Sequence, residues 1–209
     1  MSVVDGGGGS SGLVTRVQNI LLRPQEEWQR IDSEPATVQG LFTGYAAILA
    51  AIPAVAQLVG TILFVHSPVV AVVGALVSYV LGLGGVFVFG LIIEALAPTF
   101  DAQKDRVQAL KLVIYASTAS WVGGILGIIP FIGWLGALVG GLYSLYLLFI
   151  GTPVLMKSPA DKSTTYTIVA IVCAIVVNVI IGAIAGGIIG AVTIATVGGA
   201  LATTGALIR

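Results

Sequence analysis

The side chains best suited to chemistry are few in this sequence, and they do not form a catalytic set. His66 is the single histidine and stands beside Ser67, but a serine nucleophile with a histidine base also needs an acid that orients the histidine. The segment around this pair contains no acidic residue. Cys173 is the single cysteine, which excludes an intrachain disulfide and a thiolate metal cluster. We therefore expect no catalytic residues, and a protein that is not an enzyme.

Motifs for cofactor binding are also lacking. The sequence contains no ligand set typical of zinc or of a di-iron centre. The glycines between Gly82 and Gly85 resemble the start of a dinucleotide fingerprint, but Phe87 occupies the position of its last glycine. The formal net charge of zero gives no indication of nucleic-acid binding. We expect no metal, no cofactor and no nucleic-acid partner.

The composition is that of an integral membrane protein. Of the 209 residues 57% are hydrophobic and 9% are charged, whereas about a quarter of a soluble domain is charged. Apolar runs of about 18 residues or more recur, and each is long enough to cross roughly 30 Å of hydrocarbon. The sequence predicts an all-α membrane protein, a bundle of five transmembrane helices preceded by a short amphipathic cytoplasmic helix. The predicted spans are Gly40 to Val65, Val69 to Leu96, Leu110 to Ile129, Ile132 to Leu155, and a fifth from Tyr166 past Gly190.

Three parts follow along the chain. Residues 1–12 form a flexible tail rich in glycine and serine, residues 13–34 an amphipathic interfacial region, and residues 35–209 the five-span domain. The apolar region after Tyr166 is about twice as long as one crossing of about 20 residues requires. We interpret residues 191–209 as the extended end of span five or a short surface helix. A sixth crossing is the alternative.

The basic residues predict the orientation of the spans. Eight of the nine fall on one side of a five-span arrangement, and only Arg209 does not. Because Lys and Arg are enriched in cytoplasmic loops, this places the N-terminus in the cytoplasm. The eight are also candidates for binding lipid headgroups, with orientation alone as the alternative role: Arg16, Arg23, Arg30, Lys104, Arg106, Lys111, Lys157 and Lys162.

The region before the first span has two faces. Its apolar face comprises Leu13, Val17, Ile20 and Leu21. Arg16, Asn19 and Arg23 lie on another face, and Pro24 ends that turn. This pattern is typical of a helix that lies on the membrane surface, with Trp28 as an interfacial anchor. The alternative is a helix that packs on the protein's own inner surface.

Small residues at four-residue spacing predict close helix packing inside the bundle, because glycine lets helix backbones approach each other. The packing candidates are Gly136, Gly140, Gly182, Gly186 and Gly190. Contacts between subunits or a groove for a lipid chain are the alternatives for this pattern.

Polar residues inside the apolar runs are few, and they include Gln57, Ser78, Ser117, Thr118, Ser120 and Asn178. We expect them to form hydrogen bonds between helices, although such residues also mark pathways through membrane proteins. Glu94 is the acidic residue closest to a span. It is expected either to be hydrated or to pair with a basic residue, namely Lys104, Arg106 or Lys111.

Three segments together resemble a known family. They are LLRPQEEWQRI (Leu21 to Ile31), LAPTFDAQKDRVQALKLVIYASTASWVGGIL (Leu96 to Leu126) and LYSLYLLFIGTPVLMKSPADKSTTYT (Leu142 to Thr167). They resemble the bacterial branch of the Yip family, five-span proteins named for their interaction with Ypt/Rab GTPases. The resemblance covers most of residues 13 to 190. It implies a five-span fold in a bacterial inner membrane.

Eukaryotic members of the family act in vesicle traffic and membrane shaping, and the resemblance implies the same fold and topology here. GTPase binding is not carried over, because the N-terminal region that mediates it is short here and bacteria lack Rab-driven vesicles. We expect a non-enzymatic protein that organises or shapes the membrane through contacts with lipids, anionic ones among them, and with a second copy or another membrane protein. The alternative is a small transporter, channel or lipid scramblase. A third hypothesis is an assembly partner of another membrane protein.

Overall fold

The long apolar runs fold into helices, because a segment inside a bilayer must satisfy its backbone N–H and C=O groups internally. The computed structural model describes residues 10–207 of the chain, with the side chains of residues 12–129 and 131–196. No strand is present in this part. Five helical segments there are long and apolar enough to cross a membrane: Val38–Val65, Pro68–Phe100, Arg106–Ile128, Phe131–Leu155 and Ala160–Thr196. The predicted helical membrane protein with five spans is therefore confirmed.

Nine α-helices make up the described chain. Two precede the spans, α1 (Ser10–Leu22) and α2 (Pro24–Ser33). The first span consists of α3 (Val38–Leu41), a π-helical turn (Phe42–Ala46) and α4 (Ala47–Val65). The second is α5 (Pro68–Leu96), followed by a 3-10 turn (Ala97–Phe100). The third contains α6 (Arg106–Ala116), α7 (Thr118–Gly123) and a 3-10 turn (Gly124–Ile128). The last two are α8 (Pro130–Leu155) and α9 (Ala160–Leu207).

Helix ends are set by local sequence chemistry. The carboxylate of Asp105 accepts hydrogen bonds from the backbone N–H groups of Val107 (2.8 Å) and Gln108 (3.1 Å), which caps α6. Pro68 occupies the first turn of α5, where its missing N–H costs no helical hydrogen bond. His66 ends α4 in the left-handed conformation, with φ of 57°.

The third span forms the buried centre of the bundle. Of its most apolar window 56% is buried, against 11% for the fifth span. Helix α6 packs against both α5 and α8, and its Leu112 and Val113 belong to the main core cluster. The hydroxyl of Ser117 donates to the carbonyl of Val113 (2.8 Å) where α6 gives way to α7. The third span, which is interrupted between α6 and α7, therefore lies at the centre of the bundle and contacts the neighbouring helices.

Helices α1 and α2 pack against one end of the bundle, and we call this pair the N-terminal cap. Ile20, Trp28 and Ile31 of the cap are buried within the main core cluster. Trp28 has no solvent exposure, and this corrects its predicted place as an anchor in the membrane interface. The ring is buried because α8 offers it a flat surface without a side chain, at Gly151. The cap thus packs on the protein's own helices rather than lying apart from them.

Helix α9 is continuous over Ala160–Leu207, and no turn within it reverses the chain. The described part of the chain therefore contains no sixth crossing. Of the predicted flexible tail, residues 1–9 lie outside the described residues, and Ser10 already begins α1. Arg209 also lies outside them.

Candidate functional site

The bundle contains an open cavity of about 740 Å³. All the long helices contribute to it, from Pro53 on α4 and Phe89 on α5 to Trp121 on α7, with further walls from α6, α8 and α9. No charged side chain lines the cavity among the described residues. The space lies within the volume range of small-molecule sites, about 300–1,000 Å³. We call it the central cavity.

The central cavity opens sideways, between α8 and α9. Four of its lining residues are large apolar side chains that are also exposed on the outer surface of the bundle. They are Leu138 (49% exposed) and Leu142 (59%) on α8, and Ile175 (51%) and Val179 (65%) on α9. Because these spans are surrounded by hydrocarbon in a membrane, the mouth gives a lipid chain access without passage through water.

Glycines keep part of the central cavity free. A Cβ atom placed on Gly82 or Gly141 would meet no atom within 4 Å, and both residues line the cavity. Gly85 is different, because a Cβ there would lie 2.1 Å from the Cδ1 atom of Ile181. The first two glycines therefore preserve empty space, whereas the third allows α5 and α9 to approach each other.

Four polar side chains face the central cavity. Ser120 and Ser144 join α7 to α8 through a hydrogen bond between their hydroxyls (2.9 Å), and the backbone N–H of Ser120 donates to Ser144 Oγ (3.1 Å). Ser117 is satisfied within its own helix. Asn178 Nδ2 donates to the carbonyl of Ala174 (2.8 Å). No described residue donates a hydrogen bond to the Oδ1 atom of Asn178.

Close packing of α8 against α7 forms the wall of the central cavity beside Ser120 and Ser144. A Cβ on Gly136 would lie 2.3 Å from the carbonyl oxygen of Gly123, and a Cβ on Gly140 would lie 2.6 Å from that of Ala119. Only glycine allows α8 to approach α7 and the following turn this closely. The remaining packing candidates, Gly182, Gly186 and Gly190, have no described atom within 4 Å of a Cβ position. Their predicted packing inside the bundle is therefore not seen, because this face of α9 points away from the other helices.

The N-terminal cap is held together by an ion-pair network around Arg16. Its guanidinium contacts the carboxylate of Glu27 and donates to that of Glu34 (2.5 Å). It also lies 5.7 Å from the ring centre of Tyr115 on α6. Burial lowers the pKa of Arg16, but the hydrogen bond and charge of Glu34 outweigh this effect and raise the pKa above its ordinary value. Arg16 therefore stays charged and is engaged within the protein.

Further contacts attach the cap to the spans. The buried ammonium group of Lys111 on α6 donates to the carbonyl oxygens of Ile31 (2.8 Å) and Glu34 (2.5 Å). Asp32 of the cap accepts from Lys157 (2.6 Å) and from the amide of Gln108 (2.9 Å). The cap is thus connected to the third span and to the turn after the fourth.

Most of the predicted headgroup-binding cations have partners within the protein. Arg106 pairs with Glu94 (2.8 Å), which selects one of the three partners considered for that acid. Arg30 contacts Glu27 (3.4 Å), and Lys162 contacts Asp101. Among the described residues only Arg23 and Lys104 of the eight form no ion pair or side-chain hydrogen bond, and both are exposed.

The third intramembrane polar candidate, Gln57, lies apart from the central cavity. Its Nε2 atom lies 3.6 Å from the position of a Cβ on Gly74, so it is situated between α4 and α5. Three further side chains of these clusters were not singled out from the sequence: Glu27, Glu34 and Ser144. The two acidic residues lie close to Arg16 in the sequence, which indicates them as possible ion-pair partners. A serine on an apolar helix, such as Ser144, shows no pattern that indicates its partner.

Comparison with known proteins gives a consistent family assignment. The model of the Yip1 domain matches residues 19–181. The chain is similar to inner membrane protein YohC of Escherichia coli strain K12, and equally to YohC of strain O6:H1, with 24% identity over 167 residues. These alignments cover 74% of this chain and 85% of the relative. No solved structure gives a significant match. The chain belongs to the Yip1 domain family of membrane proteins.

Proposed function

We propose that this protein is a non-enzymatic membrane organiser of a bacterial inner membrane that holds the hydrocarbon chain of a lipid in the central cavity. The observation that carries the proposal is the mouth between α8 and α9, whose lining side chains are also exposed on the apolar outer surface. The similarity to an inner membrane protein supports the location. The distribution of basic residues supports a cytoplasmic N-terminal cap.

Affinity for a lipid chain arises from packing rather than from the hydrophobic effect. A chain that leaves the bilayer for the cavity moves from one apolar environment to another, so no apolar surface is removed from water. The gain comes from dispersion contacts, each worth only about 0.1–0.2 kcal/mol, with closely fitting walls. The glycines Gly82 and Gly141 provide the room that such a fit needs.

Headgroup binding is a smaller part of the proposal. Arg23 and Lys104 are the two exposed cations without an ion-pair partner in the described chain, and anionic lipid attracts such a residue by about 1 kcal/mol. The other six predicted cations are engaged within the protein, since they contact carboxylates or carbonyl oxygens of the described residues.

A matched pair of substitutions tests the proposal. Gly141→Leu adds a side chain inside the central cavity, whereas Gly182→Leu adds the same side chain at an open position outside it. Lipid that co-purifies with each protein is counted by mass spectrometry, and deformation of liposomes is followed by electron microscopy. We expect Gly141→Leu to lose retained lipid and to deform liposomes less than the wild type. Equal values for all three proteins would reject the cavity as the site.

Point substitutions are preferable to removal of the cap. A deletion of residues 13–31 would take Ile20, Trp28 and Ile31 out of the core cluster. Loss of function after that deletion would report unfolding rather than loss of a lipid contact.

A lipid scramblase is the second candidate function. The polar side chains of the central cavity favour it, because Ser120, Ser144 and Asn178 lie on a surface that could ease the passage of a polar headgroup. Reconstituted protein with fluorescent phospholipid and a dithionite quench measures such passage. Scrambling above that of empty liposomes, reduced by Gly141→Leu, would favour this function over a static lipid-binding role.

A further inference from the structure

We propose that the central cavity selects an uncharged lipid with a free hydroxyl group, of the diacylglycerol or long-chain alcohol type. This inference rests on the proposed function, since it assumes that the cavity holds a lipid. It adds that Ser120, Ser144 and Asn178 recognise the hydroxyl. Packing alone distinguishes poorly between hydrocarbon chains, so these polar groups supply the selectivity.

The Ser120–Ser144 pair lies deep within the membrane. Ser144 is about 16 Å along the helix axis from the Leu155 end of α8 and about 20 Å from its Phe131 end, at 1.5 Å per residue. This position is close to the middle of a hydrocarbon layer of roughly 30 Å. The phosphate and ester groups of a phospholipid lie at the bilayer surface, so its chain brings only methylene groups to this depth.

One hydroxyl hydrogen in the cavity lacks an acceptor. Ser120 and Ser144 each have one O–H donor, and their mutual hydrogen bond uses one of the two hydrogens. The other hydrogen has no described acceptor, unlike that of Ser117, which is donated to Val113. The serine pair therefore offers one donor to a ligand.

One acceptor is also available in the cavity. Asn178 uses its NH₂ group on the carbonyl of Ala174, and its Oδ1 atom accepts no hydrogen bond from the described residues. A ligand hydroxyl is both a donor and an acceptor, so it can donate to Oδ1 of Asn178, which is an exposed residue, or accept from the serine pair. A methyl ether or a plain hydrocarbon cannot donate to Asn178.

Lipid headgroups that carry a phosphate or an ammonium group are excluded from this depth by their charge. The described lining of the central cavity contains no basic or acidic side chain. Burying a phosphate or an ammonium group without an opposite charge is strongly unfavourable. A neutral alcohol has no such penalty, so its polar end can enter the cavity together with its chains.

Three short-chain probes test the inference on the full-length protein in detergent. They are dioctanoylglycerol, its methyl ether at the free hydroxyl, and dioctanoylphosphatidylcholine. Competition against tritiated dioctanoylglycerol gives the affinities. One hydrogen bond predicts that the wild type prefers dioctanoylglycerol to the ether by about three- to tenfold. We expect phosphatidylcholine to bind no better than the ether.

Two variants remove the polar groups without filling the cavity. Asn178→Leu removes the acceptor from a side chain whose described hydrogen bond is only to its own helix. The double variant Ser120→Ala/Ser144→Ala removes both hydroxyls, whereas a single alanine would leave one donor. For Asn178→Leu we expect the preference for dioctanoylglycerol over the ether to fall to near one, with affinity for the ether changed less than twofold. The double serine variant should lower the affinity for both probes and keep the preference, because the ether oxygen also accepts a hydrogen bond. Thermal unfolding verifies that each variant is folded.

The outcomes separate this inference from the proposed function. If the wild type binds dioctanoylglycerol and the ether equally, or if Asn178→Leu keeps the preference, selection of a hydroxyl is wrong while a lipid-holding cavity stands. If Gly141→Leu binds every probe as the wild type does, the cavity is not the site and both ideas fail.

Discussion

The indole ring of Trp28 lies against the backbone of Gly151, so that a Cβ on that glycine would be 2.7 Å from the Cε2 atom of the ring. This contact joins the N-terminal cap to α8. The same Cβ would lie 2.8 Å from the Cδ1 atom of Leu112 on α6. One glycine therefore sets the distance between the cap, the third span and the fourth.

Substitution of this glycine is expected to destabilise the protein. Gly151→Ala forces the indole or Leu112 to move, and overpacking of this kind costs about 1–3 kcal/mol. The matched control is Gly141→Ala on the same helix, where a Cβ has no neighbour within 4 Å. The control should be unchanged, or more stable by up to about 1 kcal/mol from helix propensity. Thermal unfolding in detergent compares the two, and equal midpoints would contradict the contact.

Substitution of Trp28 tests whether this residue belongs to the core or anchors the chain in the membrane interface. It is fully buried, whereas Trp134 on α8 is 65% exposed. We expect Trp28→Ala to cost about 3–5 kcal/mol of unfolding free energy, because it leaves a large cavity. Trp134→Ala should change stability in detergent far less. A small effect of Trp28→Ala would restore the anchor interpretation.

The Arg16 network predicts a second large effect on stability. Arg16→Met leaves the carboxylate of Glu27, which is 3% exposed, with only the exposed Arg30 as an ion-pair partner. Breaking a buried pair in this way costs about 3 kcal/mol, the low end of the usual range, since the guanidinium is only partly buried. Chemical unfolding in detergent gives the difference.

A control and a rescue accompany this experiment. Lys162→Met breaks an exposed pair with Asp101 and should leave stability unchanged. Addition of Glu27→Gln to Arg16→Met removes the buried charge that Arg30 (3.4 Å) alone would face, and it should restore part of the loss. No recovery in the double variant would mean that Arg16 acts through packing on Tyr115 rather than through charge.

Headgroup binding is expected at two of the eight predicted cations. Arg23→Gln and Lys104→Gln should each lower retention of anionic lipid, by about 1 kcal/mol per charge, and the effect should weaken at high salt. Lys162→Gln is the control, because its ammonium group already contacts Asp101. Native mass spectrometry with phosphatidylglycerol counts the bound lipid. An equal loss for the control would show that net charge alone governs retention.

The spans illustrate what can be predicted from sequence. The apolar pattern predicts the first span from Gly40 to Val65, and the structure has Val38–Val65. It predicts the fourth from Ile132 to Leu155, and the structure has Phe131–Leu155. Such agreement arises because the length of an apolar run and the position of a proline are local properties of the chain. The Yip resemblance was likewise carried by short collinear segments, and the family model confirms it.

Only the tertiary structure could assign roles to single residues. Arg16 is bonded to side chains 11 and 18 residues away, Lys111 to carbonyls about 80 residues away, and Tyr143 to the carbonyl of Leu21. No local pattern distinguishes these paired cations from Arg23, which remains exposed.

The sequence by itself determined that this chain crosses a membrane in five helices, because each crossing depends on about 20 consecutive apolar residues. The tertiary structure decided which glycines pack and which leave space. Gly140 faces a backbone and Gly141 faces the central cavity, although they are neighbours in the chain. The physical reason is that a cavity exists only where several helices fail to touch, and their separation depends on contacts between residues far apart in sequence.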